Sequence, residues 1–238
     1  MKSKIKNIAL VLMLFPAFAV GQSLDNFFSQ ADSFFAVHVK SGKVDYKAIH
    51  ADASQLNTLL EIAATVSVDK SDADNYRAFW INAYNLAVIK GIVNNYPINS
   101  PLDKTGFFDK TKYELAGQKI TLNDIENKML RAVFNDARVH FVLVCGAQGC
   151  PPLISKAYTP ANVESLLEQQ TKIAVNNPDF IKVKGKKVAI SEIFKWYKED
   201  FVTKDQDVIA YLNKYRSTPI ASGSKVTYYT YNWNLNAQ

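Results

Sequence analysis

The stretch Phe79-Trp80-Ile81-Asn82-Ala83-Tyr84-Asn85-Leu86-Ala87-Val88-Ile89 is apolar on nearly every face of the helix it would form. A helix with one apolar stripe lies on a surface, whereas one that is apolar all round must be enclosed. The rest of the chain therefore has to supply elements that cover this segment. The spacing predicts a helix over 73–95, capped by Ser71 or Asp72 and stopped by Pro97. Asn82 and Asn85 stand three residues apart on it, so their side chains are neighbours. Once buried they need partners, because an unpaired buried polar group costs about 1–3 kcal/mol. They read either as a satisfied structural network or as the polar wall of a cleft that orients a substrate or a histidine.

The covering elements are legible by period. Leu24, Phe27, Phe28, Ala31, Phe34 and Phe35 recur at helical spacing, and Ser41-Gly42 ends that helix. Leu56, Leu59, Leu60 and Ala63 mark a second helix, and Ile125, Met129 and Val133 another. Thr159-Pro160 reads as a cap with a proline at the first helical position, starting a helix that runs to Val175. Hairpins are expected across Ala116-Gly117 and across Gly185. The run 139–145 is continuously apolar apart from one histidine, which predicts a buried central strand. An aromatic helix is expected from Ser191, another near Asp207, and a last strand over 225–233. No repeat, linker or composition break divides the chain. The expectation is one α+β domain over 22–238, helix-rich, with a small mixed central sheet and two hairpins.

The N-terminus carries an address. Lys2, Lys4 and Lys6 precede an apolar run over 8–20, and Ala19-Val20-Gly21 supplies small residues at a cleavage site. The 13 apolar residues span roughly 20 Å as a helix, short of the ~30 Å hydrocarbon core. A signal peptide over 1–21 is expected, with a periplasmic or secreted product that has no stable membrane span. Half of the formal charge of +6 sits on those three lysines. The remainder is no nucleic-acid footprint. Export would place Cys145 and Cys150 in oxidising conditions, where disulfides persist.

Candidate chemistry gathers in Arg138-Val139-His140-Phe141-Val142-Leu143-Val144-Cys145-Gly146-Ala147-Gln148-Gly149-Cys150-Pro151-Pro152. If Pro151 opens a helical turn, Cys150 lies at its N-terminus, where backbone N–H groups lower a thiol pKa. Cys150 is then the candidate nucleophile and Cys145 its support. In a regular strand, residues 140 and 145 face opposite sides, so a direct His140–Cys145 dyad is disfavoured. A network histidine touching Asn82, Asn85 or Glu126 fits better. The C-x4-C spacing departs from the C-x-x-C of thioredoxin-like sites, and Gly146 and Gly149 allow the loop to close as a disulfide. Two thiols and one histidine make a poor zinc set. No cofactor motif is present, and none is expected to bind.

Several ordered motifs resemble domain-of-unknown-function family 547. They are Phe79-Trp80-Ile81-Asn82-Ala83-Tyr84-Asn85, Leu122-Asn123-Asp124-Ile125-Glu126, His140-Phe141 through Cys145-Gly146-Ala147, and Cys150-Pro151-Pro152. Ile193-Phe194-Lys195-Trp196-Tyr197 with Asp200-Phe201, and Tyr231-Asn232-Trp233-Asn234-Leu235-Asn236, continue the likeness to the C-terminus. Asn127 departs from it, since many relatives carry histidine there. The resemblance implies no activity, but similar domains occur in exported bacterial proteins and behind a coiled coil in plant proteins. Three functions therefore stay open. The first is a thiol-dependent hydrolase or acyltransferase, with Cys150 as nucleophile, His140 as base, Asn82 and Glu126 in the catalytic set, and Asn85, Cys145, Arg138 and Gln148 as support. The second is a non-catalytic envelope module that binds a small molecule or peptide, its loop shaped by a Cys145–Cys150 disulfide. The third is a thiol redox protein.

Overall fold

Ser23 opens the computed structural model, which describes residues 23–238. The expected signal peptide over 1–21 lies outside the described residues. The Ser23 hydroxyl caps α1 (Leu24–His38) by accepting the Asn26 N–H, and Phe27, Phe28, Ala31, Phe34 and Phe35 are buried as their spacing required. The chain reverses at Ser41 and Gly42, both at positive φ, between β1 (Val39–Lys40) and β2 (Lys43–Val44). Asp45 caps α2 (Tyr46–Ala51), a helix too short to display a period in the sequence. Then α3 (Ser54–Thr65) buries Leu56, Leu59, Ile62 and Ala63.

Asp72 caps α4 (Ala73–Val93), and every residue from Ala78 to Ile89 is buried. Helices α1, α2 and α3 pack directly on it. The first hairpin follows as expected, with β3 (Lys112–Leu115) antiparallel to β4 (Gln118–Thr121) and both Ala116 and Gly117 at positive φ. Thr121 caps α5 (Leu122–Asp124). The helix then widens into a π-helix over Ile125–Arg131 and closes as α6 (Ala132–Phe134). Such insertions are rare and concentrate at functional sites. The i→i+5 register turns Glu126 and Arg131 toward the same side, which an ordinary α-helix would not do.

The strand expected over 139–145 is absent. Ala137–Phe141 forms a 3-10 helix behind an Asp136 cap, and 142–145 runs on as irregular chain. A continuous apolar run reports burial but does not select strand over other buried backbone. Here α4 decides it. The Asn85 amide donates to the Val142 carbonyl at 3.0 Å and accepts the Val144 N–H at 2.9 Å, supplying bonds a neighbouring strand would otherwise make.

Helix α7 (Val163–Asn176) begins three residues beyond Pro160, because the Asn162 side chain accepts the Thr159 N–H and holds that stretch as a turn. The second hairpin pairs β5 (Ile181–Lys184) with β6 (Lys187–Ser191). Three short helices follow, α8 (Ile193–Trp196), α9 (Lys198–Phe201) and α10 (Val208–Asn213). Then β7 (Lys225–Tyr229) adds to β6 in parallel, making the mixed three-stranded sheet. The fold is a single α+β domain with two core clusters. One surrounds α4, and the other joins the three-stranded sheet to Phe141, Phe194 and Phe201. Cys150 packs against both, which places the 145–150 loop at their seam. Among the described residues, no helix is long and apolar enough to cross a membrane.

Candidate functional site

A cavity of about 260 Å³ opens at this seam, between the π-helix, the 143–150 loop, α8 and the C-terminal segment. The loop is shaped by close approach. Gly146 sits at φ +82°, and a Cβ there would come within 2.5 Å of Ile92 Cδ1 on α4, so glycine is required on both counts. The C-terminal segment straps the loop down. Gln148 N–H donates to the Asn234 carbonyl at 2.8 Å, Gly149 N–H to Asn232 at 2.8 Å, and Asn236 N–H to Gly146 at 2.9 Å.

Cys145 and Cys150 are disulfide-bonded across this loop, with Cα atoms 6.4 Å apart. The Tyr231 hydroxyl donates to Cys150 Sγ at 3.0 Å and lies 3.2 Å from Cys145 Sγ. No helix starts at Pro151, so the helix-end activation considered for Cys150 is not built. Instead Leu153 forms an isolated bridge to Gly42.

His140 lines the same cavity, yet its ring is held by carboxylates. Nε2 donates to Asp200 Oδ2 at 2.6 Å, and Nδ1 lies 4.0 Å from Glu126 Oε1. Asp200 also accepts from Arg131, through Nε at 2.6 Å and Nη2 at 2.9 Å. Burial works against its ionisation, but the bonds from His140 and Arg131 prevail and bring the carboxyl down to about 2. The Tyr197 ring packs on His140 at 4.2 Å between centroids, and the Arg131 guanidinium lies 4.9 Å from the centre of that ring. Arg131 further donates to Asn127.

The other residues singled out in the sequence divide. Asn82 and Asn85 are fully buried but do not line the cavity. Asn82 donates to the Tyr158 carbonyl at 2.6 Å and accepts the Tyr158 N–H at 3.0 Å, clamping that loop as Asn85 clamps 142–144. Arg138 lies in a separate charge cluster with Asp136 and Glu164. Gln148 reaches the Leu235 carbonyl and Asn232. Glu126 does line the cavity, together with Tyr84, Trp196, Tyr231 and Trp233. Sequence reasoning assigned no role to these aromatics, to Arg131 or to Asp200. Asp200 stands 60 residues from His140, so no local spacing links them. Among the described residues, no group of three or more His, Cys, Asp or Glu side chains is arranged to hold a metal ion.

Over residues 68–173 the chain matches the model of the family DUF547, described as a protein of unknown function. The resemblance drawn from its motifs therefore stands over that segment, which carries Glu126, Arg131, His140 and both cysteines. Asp200, Trp196, Tyr231 and Trp233 lie beyond it. No curated protein and no solved structure matches the chain.

Proposed function

We propose that this chain, matching a family of unknown function over part of its length, is an exported non-catalytic module that binds a small ligand in the aromatic cavity beside the Cys145–Cys150 disulfide. The observation that carries the reading is the occupation of the reactive groups. Each sulfur is bonded to the other, and both nitrogens of His140 face carboxylates, so no nucleophile stands against a free base. What remains is a receptacle. Trp196, Tyr231 and Trp233 form a ring cluster with centroid separations of 5.0, 5.9 and 4.8 Å. Trp196 is 42% exposed, so this ring is open to solvent at the edge of the cluster. Concave, mostly apolar walls with a few convergent polar groups are the usual make-up of a small-molecule site.

Binding should depend on Trp196. In a thermal-shift panel of small metabolites, compounds that stabilise the wild type should lose most of that stabilisation in Trp196→Ala. Stabilising compounds that act equally on the variant would place binding elsewhere and sink this reading.

One observation favours the thiol hydrolase or acyltransferase as a second reading. Cys145, Cys150 and His140 line one cavity, so reduction would expose a thiol in the same cavity as a carboxylate-oriented imidazole. Intact mass and iodoacetamide labelling separate the two. The binding module should label at neither cysteine until reductant is added, and should not cleave p-nitrophenyl acetate or a thioester in either state. Cleavage that needs reductant and disappears in Cys150→Ser would make the thiol reading the right one.

A further inference from the structure

The carboxylate in this cavity lacks a strong cationic partner. Glu126 is only 12% exposed, and among the described residues its one ion-pair contact is the 4.0 Å approach of His140 Nδ1. Arg131 is near enough to feel its charge, but its guanidinium is bonded to Asp200, Glu199 and Asn127. Among the described residues, no lysine or arginine lines the cavity. An almost enclosed carboxylate without a bonded cation is costly, and a cation brought by a ligand offsets that cost.

The groups around Glu126 suit such a cation. Tyr84, Tyr197 and Tyr231 all line the cavity, and the Glu126 charge acts on all three hydroxyls. After burial, it is among the causes that hold them in the neutral form. Neutral aromatic rings present negative faces, and a cation over such a face gains about 0.5–2 kcal/mol depending on desolvation. Tyr84 adds a polar anchor. It is 3% exposed and borders the cavity. A phenol at the edge of a cavity can meet a ligand's own polar group.

Resting on the binding reading above, we infer that the ligand class is a small organic ammonium carrying one hydrogen-bonding group, its cationic head beside Glu126 and among the tyrosine rings. A sugar would suit the exposed Trp196, but would leave the enclosed carboxylate without a counter-charge.

The test uses the full exported chain with its disulfide intact, followed by tryptophan fluorescence. Choline is the probe, and its neutral isostere 3,3-dimethylbutan-1-ol is the control. Choline should bind at least about tenfold more tightly than the isostere. Glu126→Gln should bring the two affinities together, and Tyr84→Phe should weaken choline severalfold. The wild-type comparison needs no variant, so a folding defect in Glu126→Gln would not shelter the proposal. Equal binding of the two alcohols would overturn the cation inference and leave the binding reading intact. Binding of the isostere alone would do the same. No response to either probe would overturn the inference too, and the Trp196→Ala panel then decides the broader reading by itself.

Discussion

Asn85→Leu is expected to cost about 2–5 kcal/mol of stability, because it leaves the buried Val142 carbonyl and Val144 N–H without partners at about 1–3 kcal/mol each. For a domain of this size that is a fall of roughly 5–15 °C in midpoint temperature. Leucine has the same branched four-atom skeleton as asparagine and is bulkier, so no cavity is left; the loss comes from unpaired backbone, with overpacking adding to it. Asn82→Leu removes the matching clamp on Tyr158 and should destabilise to a similar degree. The two variants should part in a second measurement. Asn85 holds the backbone that leads directly into Cys145, whereas Asn82 holds the loop at Tyr158. Under mild reductant, Asn85→Leu should therefore lose its disulfide faster than Asn82→Leu does. Identical reduction rates, or an Asn85→Leu midpoint within 2 °C or so of wild type, would mean the clamp contributes little.

These two asparagines mark how far the sequence could be read. Their place on an all-round apolar helix required burial, and burial required partners. Which partners could not be read, since Val142 and Tyr158 lie 57 and 76 residues away and offer only backbone groups. The same limit produced the misplaced strand at 139–145. Its apolar run correctly reported an enclosed chain, but the bonds that replace a sheet come from a side chain on α4. The hairpins were legible because their turns are local, with Ala116, Gly117 and Gly185 at positive φ. The π-helix was not legible. Ile125, Met129 and Val133 fit an α-helical period, and one widened turn leaves that pattern almost unchanged.

The candidate site was legible in part for a related reason. The histidine, the glutamate and the C-x4-C loop stand out as residue types, and all reach one cavity. The aromatic wall does not stand out in that way. Trp196 lies in a four-residue helix, and Tyr231 and Trp233 in irregular chain, where no period separates an inward ring from an outward one. Their convergence depends on the C-terminal strap across residues 146–149, a contact between segments more than eighty residues apart. Glu192 adds to it by accepting the Tyr231 N–H at 3.0 Å.

Asp200→Ala is expected to cost about 2–4 kcal/mol at neutral pH, somewhat under the 3–5 kcal/mol for breaking a fully buried pair, because Arg131 and Asp200 keep 18% and 17% exposure. The substitution leaves His140 Nε2 without its acceptor, and Arg131 with only Glu199 as an ion-pair partner. The pH dependence identifies the cause. The folded Asp200 carboxyl lies at about 2, below the value of about 3.9 for an unfolded aspartate. A carboxyl depressed by folding stabilises the native state above its unfolded value, and that contribution is lost as pH falls through the folded one. The stability gap between wild type and Asp200→Ala should therefore be steady above pH 5 or so and narrow from about pH 4 toward about pH 2. Urea unfolding of both proteins across that range measures it. Asp200→Asn should fall between them, since its oxygen still accepts from His140 while its charge no longer holds Arg131. A gap that persists unchanged to the lowest pH would show that Asp200 acts by packing alone. The electrostatic outcome carries a consequence for the cavity. If ionised Asp200 fixes the imidazole through Nε2, the direction of Nδ1 toward Glu126 is fixed with it. Asp200→Ala should then weaken choline binding along with stability, although Asp200 does not line the cavity.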